Sequence, residues 1–281
     1  MAPGHKASRE FWLTQVTGKG LPPMTFASFE LSESSLVIAT AVHNGHEIRP
    51  DLRQLLLLDD AVRLREEDPF TGVLASGFLS NVVVHRSRFE VDLNRERNGA
   101  VYRVPDDAWG LEIWSDPLPQ PLVDESRRLY DGFYAELGGI LDQLIATNGG
   151  FVLYDIHSYN HRRGGPEAPP EPQLDNPVVN LGTGSLPPRW RPVAEEFTAA
   201  LSAAEVDGSP LDVRENIRFE GRQVAAWVHE RYGAFGCALA IEIKKVFMDE
   251  WTGELYPDRL AELDRALQTT VSPVAKAWAG V

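Results

Sequence analysis

The chain has 281 residues, 43% hydrophobic and 24% charged, with a formal net charge of −14. Such a length suits one large α/β domain or two small ones, and the mix is ordinary for a globular protein. The acidic balance argues against nucleic acid or an anionic membrane surface as partner, so an anionic ligand would need a few locally placed arginines.

The single cysteine, Cys237, excludes an intrachain disulfide framework and, within the apolar run "GCALAIEI", reads as a buried inert thiol. The opening "MAPGHKASREFW" has no apolar signal region. No apolar run approaches the ~20 residues of a membrane span, so a cytoplasmic protein is expected.

In chain order, the first strong strand is "SLVIATAVH", Ser35 to His43. Its apolar residues are nearly continuous rather than alternating, as in a strand covered on both faces. In "DPFTGVLASGFLS" an Asp-Pro pair precedes an apolar-periodic run, which predicts a helix capped by Asp68 with Pro69 at its first position. The segment "NVVVHRSRFEVDL" and a polar turn follow. A long helix is predicted through "ESRRLYDGFYAELGGILDQLIATNGG", stopped by Gly149 and Gly150.

The strand "FVLYDIHS" comes next, and then a Pro- and Gly-rich segment, about 159–188, read as a long active-site loop. Two helices, through "WRPVAEEFTAALSAAEV" and "GRQVAAWVHERYG", a last strand "CALAIEIKKVFM" and one C-terminal helix "DRLAELDRALQTTVSPVAKAW" complete the pattern. Strands and helices alternate throughout. The expected fold is therefore α/β, a single domain over 1–281 with a mostly parallel central sheet flanked by helices. Sites in such sheets form at the carboxyl ends of strands.

That rule gathers a small set of polar residues. His43 ends the first strand, Asp155 and His157 end the middle one, and Glu242 sits inside the last between two isoleucines. A carboxylate there is costly to bury unless it faces a wet cavity or a partner. Two histidines and a carboxylate meeting at strand ends form a zinc site with an open position for water, beside which Glu242 can act as base. Each residue also has a plainer reading. Either histidine can be a hydrogen-bonded polar residue, Asp68 a helix cap, and Glu242 one half of an ion pair with Lys244 or Arg222. The candidate ligands are scattered, with no compact HExxH or CxxC, and spacing alone supports no more than a metallohydrolase.

The motifs taken together carry a resemblance. "DIHSYN" resembles the strand end bearing the third zinc ligand in carboxypeptidases of the A type. "DLNR", Asp92 to Arg95, is similar to the Asn-Arg pair that holds the substrate carboxylate there and in aspartoacylases. "AIEIKK" resembles the strand of their general-base Glu. Within that superfamily the pattern is nearest to the N-formylglutamate amidohydrolase family. The chain shows "HNG", "EEDPFTG", "SRFEVDLNR", "DIHS", "VNLGTG" and "IEIKKVFMDE" in the family's order, from about His43 to about Glu250.

The resemblance implies a zinc-carboxypeptidase-like (phosphorylase/hydrolase-like) fold and one Zn²⁺ held by His43, His157 and a third residue. It favours Asp68 as that residue, with His46 and Glu47 as competitors. It also implies Glu242 as base, a substrate-carboxylate clamp of Arg88, Asn94 and Arg95, and Asp155 holding a ligand histidine by its other ring nitrogen. Without it, those arginines would read as surface pairs of Glu90, Asp92 or Glu96.

The chain departs from the family pattern at Val42, where Pro is common, at His46 and Glu47, and at His161, Arg162 and Arg163. These last three would give the mouth a positive rim, with Arg162 as a substrate contact. The implied reaction is zinc-dependent cleavage of an N-acyl, here N-formyl, amino acid such as N-formylglutamate. The alternatives are a deacylase or carboxypeptidase-like hydrolase of another N-acyl amino acid or small peptide, and a catalytically silent metal-binding relative. The expected partner is a small anionic substrate, with no nucleic acid and no membrane; the oligomeric state is left open.

Overall fold

The computed structural model describes residues 7–11, as backbone, and 26–281. Its strands are β1 (Ala7–Phe11), β2 (Ala27–Leu31), β3 (Val37–Ala41), β4 (Ser80–Val84), β5 (Phe151–Tyr159), β6 (Val179–Gly182), β7 (Glu205–Val206), β8 (Ser209–Pro210), β9 (Val213–Glu215) and β10 (Gly236–Lys244). Its helices are α1 (Pro50–Arg53), α2 (Asp60–Glu66), α3 (Thr71–Ser76), α4 (Gln120–Asn148), α5 (Arg191–Ser202), α6 (Gln223–Tyr232), α7 (Pro257–Thr269) and α8 (Val271–Ala279).

Eight strands form one sheet in the order β1-β2-β4-β3-β5-β10-β6-β9. Its centre, β4-β3-β5-β10, is parallel throughout. The flanks are mixed: β2 and β6 join antiparallel to β4 and β10, β1 pairs antiparallel with β2, and β9 runs parallel to β6. The predicted parallel sheet is thus its central part, edged by antiparallel strands.

The continuous apolar runs follow from burial on both faces. One face of the sheet presents Val152, Tyr154 and Ile156 of β5 and Leu239, Ile241 and Ile243 of β10 to α3, α5, α7 and α8. The other presents Phe151, Leu153, Ala238 and Ala240 to α4 and α6. Strand alternation carries this second face onward to Asp155 and His157 on β5 and to Glu242 on β10. Glu242 and His157 are register partners. A third, smaller core of Ile48, Leu52, Phe89, Tyr102 and neighbours lies under the segment between β4 and α4.

Three boundaries differ from expectation. The helix expected to start at Asp68 begins at Thr71, because Phe70 has φ 68° and interrupts any helix before it. Instead of capping, Asp68 gives its backbone N–H to the His43 carbonyl and accepts the Thr71 hydroxyl on its own carbonyl, at 2.6 Å. The segment 159–188 is not one loop, since it contains β6, which pairs with β10. The C-terminal helix is two helices meeting at buried Thr270. Cys237 is free and buried, and burial pushes its thiol pKa up, as an inert group requires. Among the described residues no helix is long and apolar enough to cross a membrane.

Candidate metal centre and active-site cleft

Three segments converge at the carboxyl ends of β3 and β5. His43 follows β3, His157 lies near the end of β5, and Asp68 stands between α2 and α3. All three are buried, and one ligand atom from each lies within 4.8 Å of the others. Asp68 Oδ2 is 3.3 Å from His43 Nδ1 and 3.1 Å from His157 Nδ1. Burial alone would raise the Asp68 carboxyl, but the two imidazoles outweigh it and hold it well below the usual carboxylate range.

The far nitrogens of both rings are occupied. His43 Nε2 donates to Asp92 Oδ1 at 2.6 Å, and His157 Nε2 lies 3.0 Å from Asp155 Oδ2. Asp155 is in turn held by the Thr40 hydroxyl at 2.8 Å. The Nδ1 atoms of both rings face Asp68. Two imidazoles and one carboxylate oxygen, each oriented from behind, form a donor set that suits a divalent cation of the zinc type. Burial would lower the His157 pKa, yet Asp155, Asp68 and Glu242 raise it well above normal.

His46 and Glu47, the competing ligands, lie elsewhere. His46 pairs with Glu67 at 2.5 Å and is part-exposed, while Glu47 is exposed.

Beside the triad a cleft is lined by Glu242, Arg88, Asn94, Trp109, Tyr159 and Phe219, among others. Glu242 is buried, and its side chain has no hydrogen-bond or ion-pair partner among the described residues. Burial, helped by the charges of Asp68 and Asp155, raises its pKa to about 7. The plain ion-pair reading fails: Lys244 Nζ points away, donating to Gln173 Oε1 and the Asn176 carbonyl, and Arg222 makes no such pair.

Of the four predicted substrate contacts, two line the cleft. Arg88 reaches it while bound to Asp92 Oδ2 at 2.9 Å, its guanidinium 4.9 Å from the Trp109 ring centre. Asn94 Nδ2 lies 3.2 Å from His157 Nε2, and its Oδ1 accepts the Val224 N–H at 3.1 Å. Arg95 sits behind the cleft, 3.5 Å from Asp92 Oδ2 and stacked over Tyr102. Arg162 is corrected: its guanidinium is bound to Asp249 at 2.9 Å and does not line the cleft, whereas Arg163, the next residue, does.

Two residues with no role in the sequence reading prove central. Asp92 collects His43, Arg88, Arg95, the Tyr102 hydroxyl and the Asn94 N–H on one buried carboxylate. Its spacing two before Asn94 was the available signal. Lys245, buried at the end of β10, donates to the carbonyls of Arg65 at 2.6 Å and Glu67 at 2.8 Å, pinning the segment that presents Asp68. Burial lowers its pKa to about 8. A second lysine in "IKK" at a buried strand end was its only trace.

The profile of the N-formylglutamate amidohydrolase family matches residues 35–248. Among solved structures, the N-formylglutamate amidohydrolase of Ralstonia eutropha JMP134 superposes with a TM-score of 0.69 at 18% identity, covering 91% of this chain and 99% of that one. A gene product of Agrobacterium tumefaciens gives 0.62 at 17% identity, over 88% and 92% of the two chains. A carboxypeptidase A of Helicoverpa armigera gives 0.49 at 11% identity, over 99% and 70%. Among curated proteins nothing matches. The profile match spans most of the chain, from before His43 into the last motif, and the protein belongs to the N-formylglutamate amidohydrolase family.

Proposed function

We propose that the protein is a zinc-dependent amidohydrolase that cleaves the amide of an N-acyl, in particular N-formyl, amino acid such as N-formylglutamate, releasing the acid and the free amine. The observation that carries this reading is Glu242: a buried carboxylate without a partner among the described residues, raised to about 7, register partner of His157. His43, Asp68 and His157 would hold the zinc ion. When bound there, zinc supplies Lewis acidity, polarising a carbonyl and lowering the pKa of water toward ~7.

The chain's own residues do the rest. Glu242 takes a proton from the attacking water, the new C–O bond forms, and the same carboxyl returns the proton to the leaving nitrogen as the C–N bond breaks. Arg88 and Asn94, which both line the cleft, hold the substrate's carboxylate and so fix the scissile carbonyl. Arg95 supports them from behind through Asp92.

Glu242→Gln tests the assignment. The variant retains bound zinc while its kcat on N-formylglutamate, read as formate release, falls about 10²–10⁴-fold. Wild-type turnover by the variant would remove Glu242 as the base. Bound metal in the native protein without cleavage of any N-acyl amino acid would favour a silent metal-binding relative.

A further inference from the structure

The arginines around the cleft are almost all committed. Arg88 is on Asp92, Arg162 on Asp249, Arg65 on Glu66, and Arg163 has Glu66 at 3.5 Å. Arg222 differs: it lines the cleft, is exposed, and has no hydrogen-bond or ion-pair partner among the described residues.

Its backbone, by contrast, is held on both sides. Upstream, Asn180 of β6 accepts the N–H groups of Ile217 and Arg218 at 3.0 and 2.8 Å and donates to the Phe219 carbonyl at 2.8 Å. Downstream, Asn94 accepts the Val224 N–H. Between them Gly221 has φ 91° and packs against Gly182, where a Cβ would lie 2.4 Å from the Gly221 nitrogen. The fold thus fixes where the Arg222 side chain starts and leaves its charge unused. The clamp that positions it, Asn94, is the same residue that approaches His157. In a protein of net charge −14, an uncommitted guanidinium opening on this cleft marks a place for an anion.

Resting on the amidohydrolase reading, we propose that Arg222 is a specificity-determining residue that reads a second negative charge on the substrate, the side-chain carboxylate of an acidic amino acid. Arg88 and Asn94 take the first carboxylate. Phe219 and Tyr159, which line the same cleft, offer apolar surface to the methylenes between the two charges. Glu220 leaves the guanidinium free, since its side chain packs toward Gly184.

The experiment compares N-formyl-L-glutamate with N-formyl-L-glutamine, equal in length but uncharged at the side chain, on zinc-loaded wild type and Arg222→Gln. The wild type prefers the glutamate derivative in kcat/KM. That ratio falls about tenfold in the variant, mainly through KM, and added NaCl erodes it in the wild type more than in the variant. A ratio unchanged by the substitution overturns the proposal. If neither enzyme hydrolyses either compound, the amidohydrolase reading fails, and calorimetric binding of L-glutamate against L-glutamine decides this one separately. Selective weakening of glutamate by Arg222→Gln supports it, and equal weakening of both ligands overturns it.

Discussion

Asp92 shows how far residues that would never touch an ion shape a candidate metal site. Its carboxylate fixes the His43 ring through Nε2 and anchors Arg88, while burial that would raise its pKa is overcome by Arg88 and His43, which hold it well below normal. Asp92→Asn keeps the shape but weakens the acceptor, and zinc affinity is expected to drop about 10–100-fold in a competitive chelator titration. Affinity equal to wild type would mean the His43 ring is oriented by packing alone. His43, His157 and Glu242 were legible in the sequence because each ends or interrupts an apolar strand. Asp68 was legible as a residue but not in its backbone role, because a helix cap and a ligand present the same Asp-Pro signal. Arg162 and Arg163 could not be told apart. Which of two neighbouring arginines faces inward depends on Glu250, 88 residues away, accepting the N–H groups of His161 and Arg162.

At the scale of elements, the turn after β3 depends on close backbone approach. A Cβ on Gly45 would lie 2.1 Å from the His85 carbonyl carbon, so Gly45→Ala forces that turn off the β4 end. The expected loss is about 1–3 kcal/mol in urea unfolding, with reduced zinc affinity because the turn carries His43. Unchanged stability would contradict the tight approach.

The α6–β10 junction carries a pH dependence. His229 Nε2 accepts the Ala238 N–H at 2.9 Å and its Nδ1 meets the Ser185 hydroxyl at 2.8 Å. Burial lowers its pKa from 6.5 to about 4. Above pH 6.5 the ring is neutral whether the chain is folded or not, and the junction has its full stability. As pH falls toward 4, only the unfolded chain takes the proton, and stability is lost at up to about 1.4 kcal/mol per pH unit. Subtracting a His229→Gln profile from that of the wild type isolates this slope, and a flat difference would refute it.

The C-terminal break was also written in the sequence. Pro273 offers no N–H to the Thr269 carbonyl and crowds it, and the Tyr154 hydroxyl meets Thr270 Oγ1 at 2.9 Å where the two helices join.

For the whole molecule, the three candidate ligands come from positions 43, 68 and 157, so a cation bound there would tie β3, the segment before α3 and β5 together. Zinc at about 100 times its Kd adds about 2.7 kcal/mol to the folded state. At about 2–4 °C per kcal/mol for a chain of this order, Tm rises by about 5 °C or more over chelator-treated protein. A Tm indifferent to zinc would count against a site assembled by the fold.

By itself the sequence determined the alternation of strands and helices, the doubly covered central strands and the polar residues at their carboxyl ends, because burial and turn chemistry are local properties read from residue type and period. It also carried the order of motifs that identifies the family. Only the tertiary structure decided that Asp68 rather than His46 joins the histidines, that Glu242 has no partner among the described residues, and that Arg163 and Arg222 rather than Arg162 face the cleft. Each of these is a choice among nearby polar groups, and it is made by contacts with residues distant in the chain, which no local pattern encodes.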